Sequence, residues 1–237
     1  MIMLVGFGPK FGLADASPFV LKVNVYMNMS GIAFTTVTDF AAFKKAPKGK
    51  LPYIVDEGKC IADSFFILKH LQAKYGNALD DHLTIEQKAG SHVIIKALEE
   101  HLYWCVLHSR WVKDDTWPTV KQAFFGNMPF PLKYVVPWVT RNNMRTACLK
   151  QGIGKHSDEE ILAITKEMLA SLSVLLGDKR YFYGEKPSTL DAVAFAFLAQ
   201  ITISKLNNPL NDMARTFHNL VTYCERIDRT YYADANS

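Results

Sequence analysis

Over its first eighty residues the chain changes hydrophobic period repeatedly, and after that it keeps one period to the end. Met1 to Phe7 is a short apolar run of the kind that makes a buried strand, and a Gly/Pro loop from Gly8 to Ala16 follows it. Phe19, Val23, Tyr26, Met27 and Ser30 then recur at helical spacing. Ser17 stands as N-cap, Pro18 takes the first helical position and Gly31 is the stop. Ala33 to Thr38 reads as a second strand, and Ala41 to Lys50 is a polar connection punctuated by Pro and Gly. Tyr53 to Val55 and Lys59 to Ala62 read as strands joined by a tight turn at Asp56, Glu57 and Gly58.

A further helix is expected from Ser64 to about Tyr75, with Ser64 as its cap and Gly76 and Asn77 closing it. From Thr84 every periodic segment is helical: 84–113, roughly 131–150, 157–176, 188 to about 204, and 211–229. The order βαβ, then ββα, then helices alone predicts an α/β unit over residues 1–77 and an all-helical unit over 84–237. The boundary falls where the period changes, between Asn77 and Leu83.

Composition narrows the function classes. Hydrophobic residues make up 49% of the 237, and charged ones 21%, enough for one large core or two modest ones. The 27 basic and 23 acidic residues form no run of the length that nucleic acid or a membrane surface would need, so no nucleic-acid partner is expected. Cys60, Cys105, Cys148 and Cys224 stand far apart without metal-site spacing, which fits reduced thiols in the cytoplasm. No stretch approaches the roughly 20 apolar residues of a membrane span, and the apolar start lacks the basic residues and cleavage site of a secretion signal. His101 and His108 share a helix face without a third ligand, so no metal is expected.

Five pieces carry a resemblance: SPFVLKV (17–23), KGKLPYIV (48–55), IADS (61–64), EEHLYW and SRW between Glu99 and Trp111, and RYFYGEKPSTLDA (180–192). Together, and in this order, they resemble the glutathione transferase superfamily, within it the failed-axon-connections-like and metaxin-like branch. The resemblance implies an N-terminal thioredoxin-like domain that binds glutathione and an all-α C-terminal domain that supplies the second substrate pocket. It implies a cis Pro52, with the Leu51 backbone pairing with the cysteinyl backbone of glutathione as an added strand does.

By the same resemblance Ser64, at a helix start rich in unpaired N–H groups, would bind the γ-glutamyl carboxylate, and Asp63 would face the γ-glutamyl ammonium. The family more often carries Glu or Gln where Asp63 stands. Lys50 could reach the glycyl carboxylate, although a solvated lysine needs no ligand.

Ser17 is the catalytic candidate. A thiol with pKa near 8.5 is mostly protonated at neutral pH, and the thiolate is the nucleophile. A hydroxyl donated to the sulfur contributes about 1.5–3 kcal/mol, and a helix N-terminus about 0.3–1 kcal/mol. Together these lower the thiol pKa by roughly one to two units. No Tyr occurs in the first 25 residues and Ser17 is not Cys, so serine-type activation is what remains. A plain N-cap accounts for Ser17 equally well.

The second substrate is expected between the domains. Phe11 of the first loop, and Tyr103, Trp104, Leu107, His108 and Trp111 of the long helix, are the candidates to line it. The aromatic stretch Trp117, Phe124, Phe125, Phe130, Tyr134 and Trp138 could complete an apolar wall, although such stripes are also core or interface. Ser188 to Asp191 matches a capping box and is read as structural. The expectation is a cytoplasmic, homodimeric glutathione transferase conjugating or reducing a hydrophobic small-molecule electrophile in detoxification. The alternative is a non-catalytic binding or scaffold protein on the same fold.

Overall fold

A computed structural model describes residues 1–232. Its strands are β1 (Ile2–Val5), β2 (Phe34–Val37), β3 (Tyr53–Asp56) and β4 (Lys59–Ala62), in the spatial order β2-β1-β3-β4. β1 is parallel to β2 and antiparallel to β3, and β4 returns antiparallel to β3. The β3–β4 hairpin turns on Glu57 and Gly58, whose φ values of 49° and 80° are those of a twisted two-residue turn. Asp56, expected in the turn, is the last residue of β3 instead.

Helix α1 (Pro18–Met29) carries the β1–β2 crossover, α2 (Phe40–Lys44) precedes β3, and α3 (Ser64–Tyr75) follows β4. The remainder is helical: α4 (Ile85–Ala97), α5 (Tyr103–Leu107), α6 (Trp117–Phe125), α7 (Leu132–Gln151), α8 (Asp158–Leu176), α9 (Thr189–Leu198), α10 (Pro209–Arg215) and α11 (His218–Tyr232). The mixed sheet with its helices has the expected thioredoxin-like arrangement, and every regular element from α4 onward among the described residues is helical.

Several elements depart from the pattern read in the sequence. α2 lies at the start of the stretch read as a connection, and α6 lies between the periodic segments 84–113 and 131–150. Each is under ten residues, and α6 has no side-chain cap, so neither shows a long period. The helix expected over 84–113 widens into π-turns at Leu98–Leu102 and His108–Val112 on either side of α5. The segment 211–229 is two helices, because Asn208 caps a short one that opens on Pro209 and ends at Thr216.

α1 has no polar face. Lys22 and Asn24 are buried along with Val20, Leu21, Val23, Val25, Tyr26 and Met27, because the helix packs against α9, α3 and α11. All ten residues of α9 are buried, and one hydrophobic core runs through both halves of the molecule. Asp191 anchors the start of α9: its carboxylate accepts from the N–H groups of Phe182 and Ser188 and from the hydroxyls of Ser188 and Tyr223. From the last helix, the Tyr232 hydroxyl donates to Asn24 Oδ1 at 2.7 Å, which closes α11 over α1.

Candidate functional site

The register brings three distant pieces of chain to one end of the sheet. Val5 pairs with Tyr53 and Tyr53 with Ala62, so Gly6, Pro52 and Asp63 emerge side by side, and the Asp63 N–H donates to Pro52 O. The Leu51–Pro52 bond is cis.

The loop from Gly6 to Ser17 is organised by Asp15. Its buried carboxylate accepts from the N–H groups of Gly8 and Ser17, both at 2.8 Å. A side chain at position 6 would collide with it, since a Cβ there would sit 2.6 Å from Asp15 Oδ2. Burial pushes the Asp15 carboxyl up to about 7, outweighing the Ser17, Gly8 and Phe7 N–H groups that favour its charge. The second domain holds the same loop from behind. Arg110, from a π-turn, donates to Ala16 O and Gln200 O, and Gln200 Nε2 donates to Asp15 O. The Lys205 N–H donates to Phe11 O at 2.7 Å. Burial lowers the Arg110 guanidinium to about 10, which leaves it charged at neutral pH.

Ser17 caps α1 by accepting from the Val20 N–H at 3.4 Å. Its own hydrogen has no acceptor among the described residues, so the hydroxyl can donate to a ligand beside the helix N-terminus.

At the start of α3 the cap is Asp63, not Ser64: Asp63 Oδ1 accepts from the Phe65 N–H at 3.0 Å, and Ser64 is the first helical residue. Asp63 holds φ +80°, a strained value for a residue with a side chain, which it relieves by that Asx bond. Ser64 Oγ accepts from the buried Lys22 Nζ at 3.2 Å, which leaves its own hydrogen to donate. Lys22 is itself paired with Glu99, which also accepts from Lys96 at 2.8 Å. Burial alone would raise the Glu99 carboxyl, but the ammoniums of Lys22 and Lys96 outweigh it and hold it below the usual range. Burial lowers the Lys22 ammonium, against the attraction of Glu99. Lys22 and Lys96 flank Glu99, and the Asp63 carboxylate acts on both lysines as well, so what the site offers an anion is the free Ser64 hydroxyl at a helix N-terminus.

Lys50 is exposed at the turn before Leu51. Its neighbour Lys48 lies 3.9 Å from Asp63 Oδ2 and over the Phe66 ring.

Of the expected wall, Phe11 and Trp111 meet around Phe124 of α6, at centroid distances of 6.1 and 5.4 Å. Phe7 joins at 6.0 Å and carries Phe43 with it. Tyr103 packs elsewhere, on Phe19 and on Trp104, and Leu107 is core. His108 is buried, and burial lowers its pKa. Phe130, Tyr134 and Trp138 are exposed on α7 and the corner before it, apart from this wall.

Sequence reasoning passed over Lys22, Glu99, Asp15, Arg110 and Lys48. Lys22 did leave a trace, as the one cation in an otherwise apolar helix, which is a position that requires a buried partner.

Residues 18–116 match the family model of the glutathione S-transferase N-terminal domain, and residues 165–227 match that of the C-terminal domain. The isoprene-epoxide glutathione S-transferase of Rhodococcus sp. strain AD45 is 34% identical, over 98% of this chain and 99% of its own. Failed axon connections of Drosophila melanogaster is also 34% identical, over 99% of this chain and 59% of that longer protein. Human metaxin-2 is 26% identical over 90% of this chain and 82% of its own. Among solved structures, a beta-etherase from Sphingobium sp. strain SYK-6 superposes with a TM-score of 0.63 at 20% identity, over 96% of this chain and 94% of its own.

Proposed function

The chain belongs to the glutathione S-transferase family, and on that premise we propose that it binds glutathione at the end of its sheet and transfers it to a hydrophobic electrophile. The observation that carries the reading is the Ser64 hydroxyl, which accepts from Lys22 and so keeps its own hydrogen to donate, at a helix N-terminus and the same sheet end as Pro52 and the Ser17 loop. In this reading Ser64 takes the γ-glutamyl carboxylate, Asp63 faces the γ-glutamyl ammonium, and the Leu51 backbone pairs with the cysteinyl unit next to Pro52. Lys50 or its neighbour Lys48 meets the glycyl carboxylate.

Ser17 donates its hydroxyl to the thiolate. The sulfur then attacks an electrophilic carbon held against Phe11, Trp111 and Phe124. For an epoxide, the class named in the Rhodococcus relative, the C–S bond forms as the C–O bond breaks, and the alkoxide takes its proton from water. Phe11 and Trp111 are the wall residues of this reading, while Tyr103 and Trp104 pack away from them and Leu107 and His108 are buried. A cytoplasmic homodimer completes the proposal, and a monomer mass in light scattering at micromolar protein would refute the dimer.

The test is calorimetric titration with reduced glutathione of the wild type and Ser64→Ala, together with ultraviolet titration of the bound thiolate in wild type and Ser17→Ala. Binding that weakens in the first variant, and a thiol pKa that rises in the second, are the outcomes this function requires. A second reading, a non-catalytic binding protein, is favoured by one feature: Phe7, Phe11, Trp111 and Phe124 already touch one another and fill the space an electrophile would take. No response to millimolar glutathione would select it.

A further inference from the structure

The first half of α7 presents an apolar surface with no cover. The described residues expose sixteen large hydrophobic side chains, and six of them fall within ten positions: Phe130, Leu132, Tyr134, Val135, Trp138 and Val139. Phe130 is 79% exposed and Trp138 67%, far beyond an incidental surface aromatic. Pro129 and Pro131 flank Phe130 and stiffen the corner that carries it. α7 is fastened to the body farther along, through buried Pro137 and Cys148 and through Arg141, whose guanidinium donates to Trp111 O and Val112 O.

Charge identifies the occupant. From Thr116 to Ser157 the chain has no Asp or Glu but six Lys and Arg, leaving 21 cations against 23 carboxylates elsewhere, so the net positive charge of the protein resides in this segment. Lys121, Arg141 and Arg145 line a cleft of about 260 Å³ between α6 and α7, together with Trp117, Tyr134 and Trp138. Asp114 accepts from both arginines and offsets one of the three charges. A second copy of this chain would set like charges opposite each other across a twofold axis, which disfavours self-association through this face. Exposed Trp and Tyr beside aliphatic side chains, rimmed by Lys and Arg, match instead the boundary between the headgroups and acyl chains of an anionic bilayer. No helix among the described residues is long and apolar enough to cross a membrane, so the contact is peripheral.

We infer that the α7 face, with the α6–α7 cleft as the seat of a phosphate headgroup, docks the protein onto an anionic phospholipid surface. The inference is independent of glutathione binding.

The test is co-sedimentation of the full chain with phosphatidylcholine vesicles and with phosphatidylcholine–phosphatidylserine vesicles, at low and high salt. Binding to the anionic vesicles alone, weakened by salt, is expected. Lys133→Gln and Lys121→Gln should each weaken it about fivefold. Trp138→Ser with Tyr134→Ser, both at exposed positions, should abolish it while the melting temperature stays unchanged. Lipids brominated near the headgroup should quench the emission that Trp138→Ser removes. The inference is overturned by no binding to anionic vesicles at low salt, or by binding that the double serine variant retains. It is overturned equally by a dimer in sedimentation velocity that Trp138→Ser disperses, which assigns the face to a second copy. Capture of poly-glutamate as tightly as vesicles, without need of Tyr134 and Trp138, would assign it to an acidic protein.

Discussion

Lys22 of α1 places its ammonium 2.5 Å from Glu99 Oε1, a buried ion pair joining residues 77 positions apart in the two domains. Removing one partner of a buried pair costs roughly 3–5 kcal/mol, and Lys96 remains on Glu99 to soften the loss. Lys22→Met is therefore expected to lower unfolding stability by about 3 kcal/mol in urea titration. Lys22→Met with Glu99→Leu should regain part of it. A neutral Lys22→Met would show that the pair does not hold the domains together.

Ser17→Ala separates cap from catalyst. Losing the cap costs about 1 kcal/mol of stability. If the hydroxyl also donates to sulfur, the thiol pKa of bound glutathione rises by about one to two units, and kcat/KM near pH 6.5 drops about ten- to a hundredfold. The thiolate absorbance reads the first effect directly. An unshifted titration with the stability loss present leaves Ser17 as a cap alone.

Asp15 makes stability depend on pH in a direction opposite to most carboxylates. Its carboxyl is pushed by burial from 3.8 to about 7 in the folded chain, so the native state keeps a proton that the unfolded state releases. The contribution is fully present below pH 3.8 and is lost as pH rises through about 7. Unfolding free energy should fall across that window by up to about 1.4 kcal/mol per pH unit from this group, and Asp15→Asn should flatten the fall. Identical slopes in wild type and variant would show that Asp15 is ionised in the fold throughout.

Asp191→Ala leaves the N–H groups of Phe182 and Ser188 and the Ser188 hydroxyl without their carboxylate acceptor in a buried site, while Tyr223 keeps the main-chain carbonyl of residue 191. The expected cost is at least about 3 kcal/mol, or about 6–12 °C in melting temperature, with glutathione affinity of the folded protein unchanged. An unaltered melting curve would mean that the box does not hold α9.

Phe124→Ala should empty the centre of the aromatic cluster. Its expected signature is a lower KM for bulkier apolar electrophiles at constant glutathione affinity, measured by steady-state kinetics with both substrates varied. A KM insensitive to Phe124 would place the second substrate elsewhere.

What could be read in the sequence was local. Ser17, Pro18 and Gly31 punctuate α1 so clearly that its limits follow from side-chain chemistry, and Glu57-Gly58 marks its hairpin in the same way. Ser188 and Asp191 announce their own cap. The site was legible only as far as it consists of helix starts and a proline. The acceptor that orients the first loop is Asp15, within that loop, but its partner Gly8 is set by folding, not by spacing. Lys22 and Glu99, or Arg110 and Ala16, meet only once both domains are packed, and no periodicity encodes such an encounter. Short helices such as α2 and α6 lack the repeats that would reveal them, and the π-turns that aim Arg110 leave the hydrophobic pattern unchanged.

The hydrogen bond from Tyr232 to Asn24 spans 208 residues and sets an order of events during synthesis. A ribosome releases α1 long before α11, so the surface that α11 supplies to it arrives only after the intervening chain has been made. Until then Asn24 faces solvent or a chaperone, and α1, which carries both Ser17 and Lys22, lacks one of its walls. The nascent chain thus carries α1 without that wall until α11 has emerged, and the ligand site that α1 helps to build stays unsupported on that side until then.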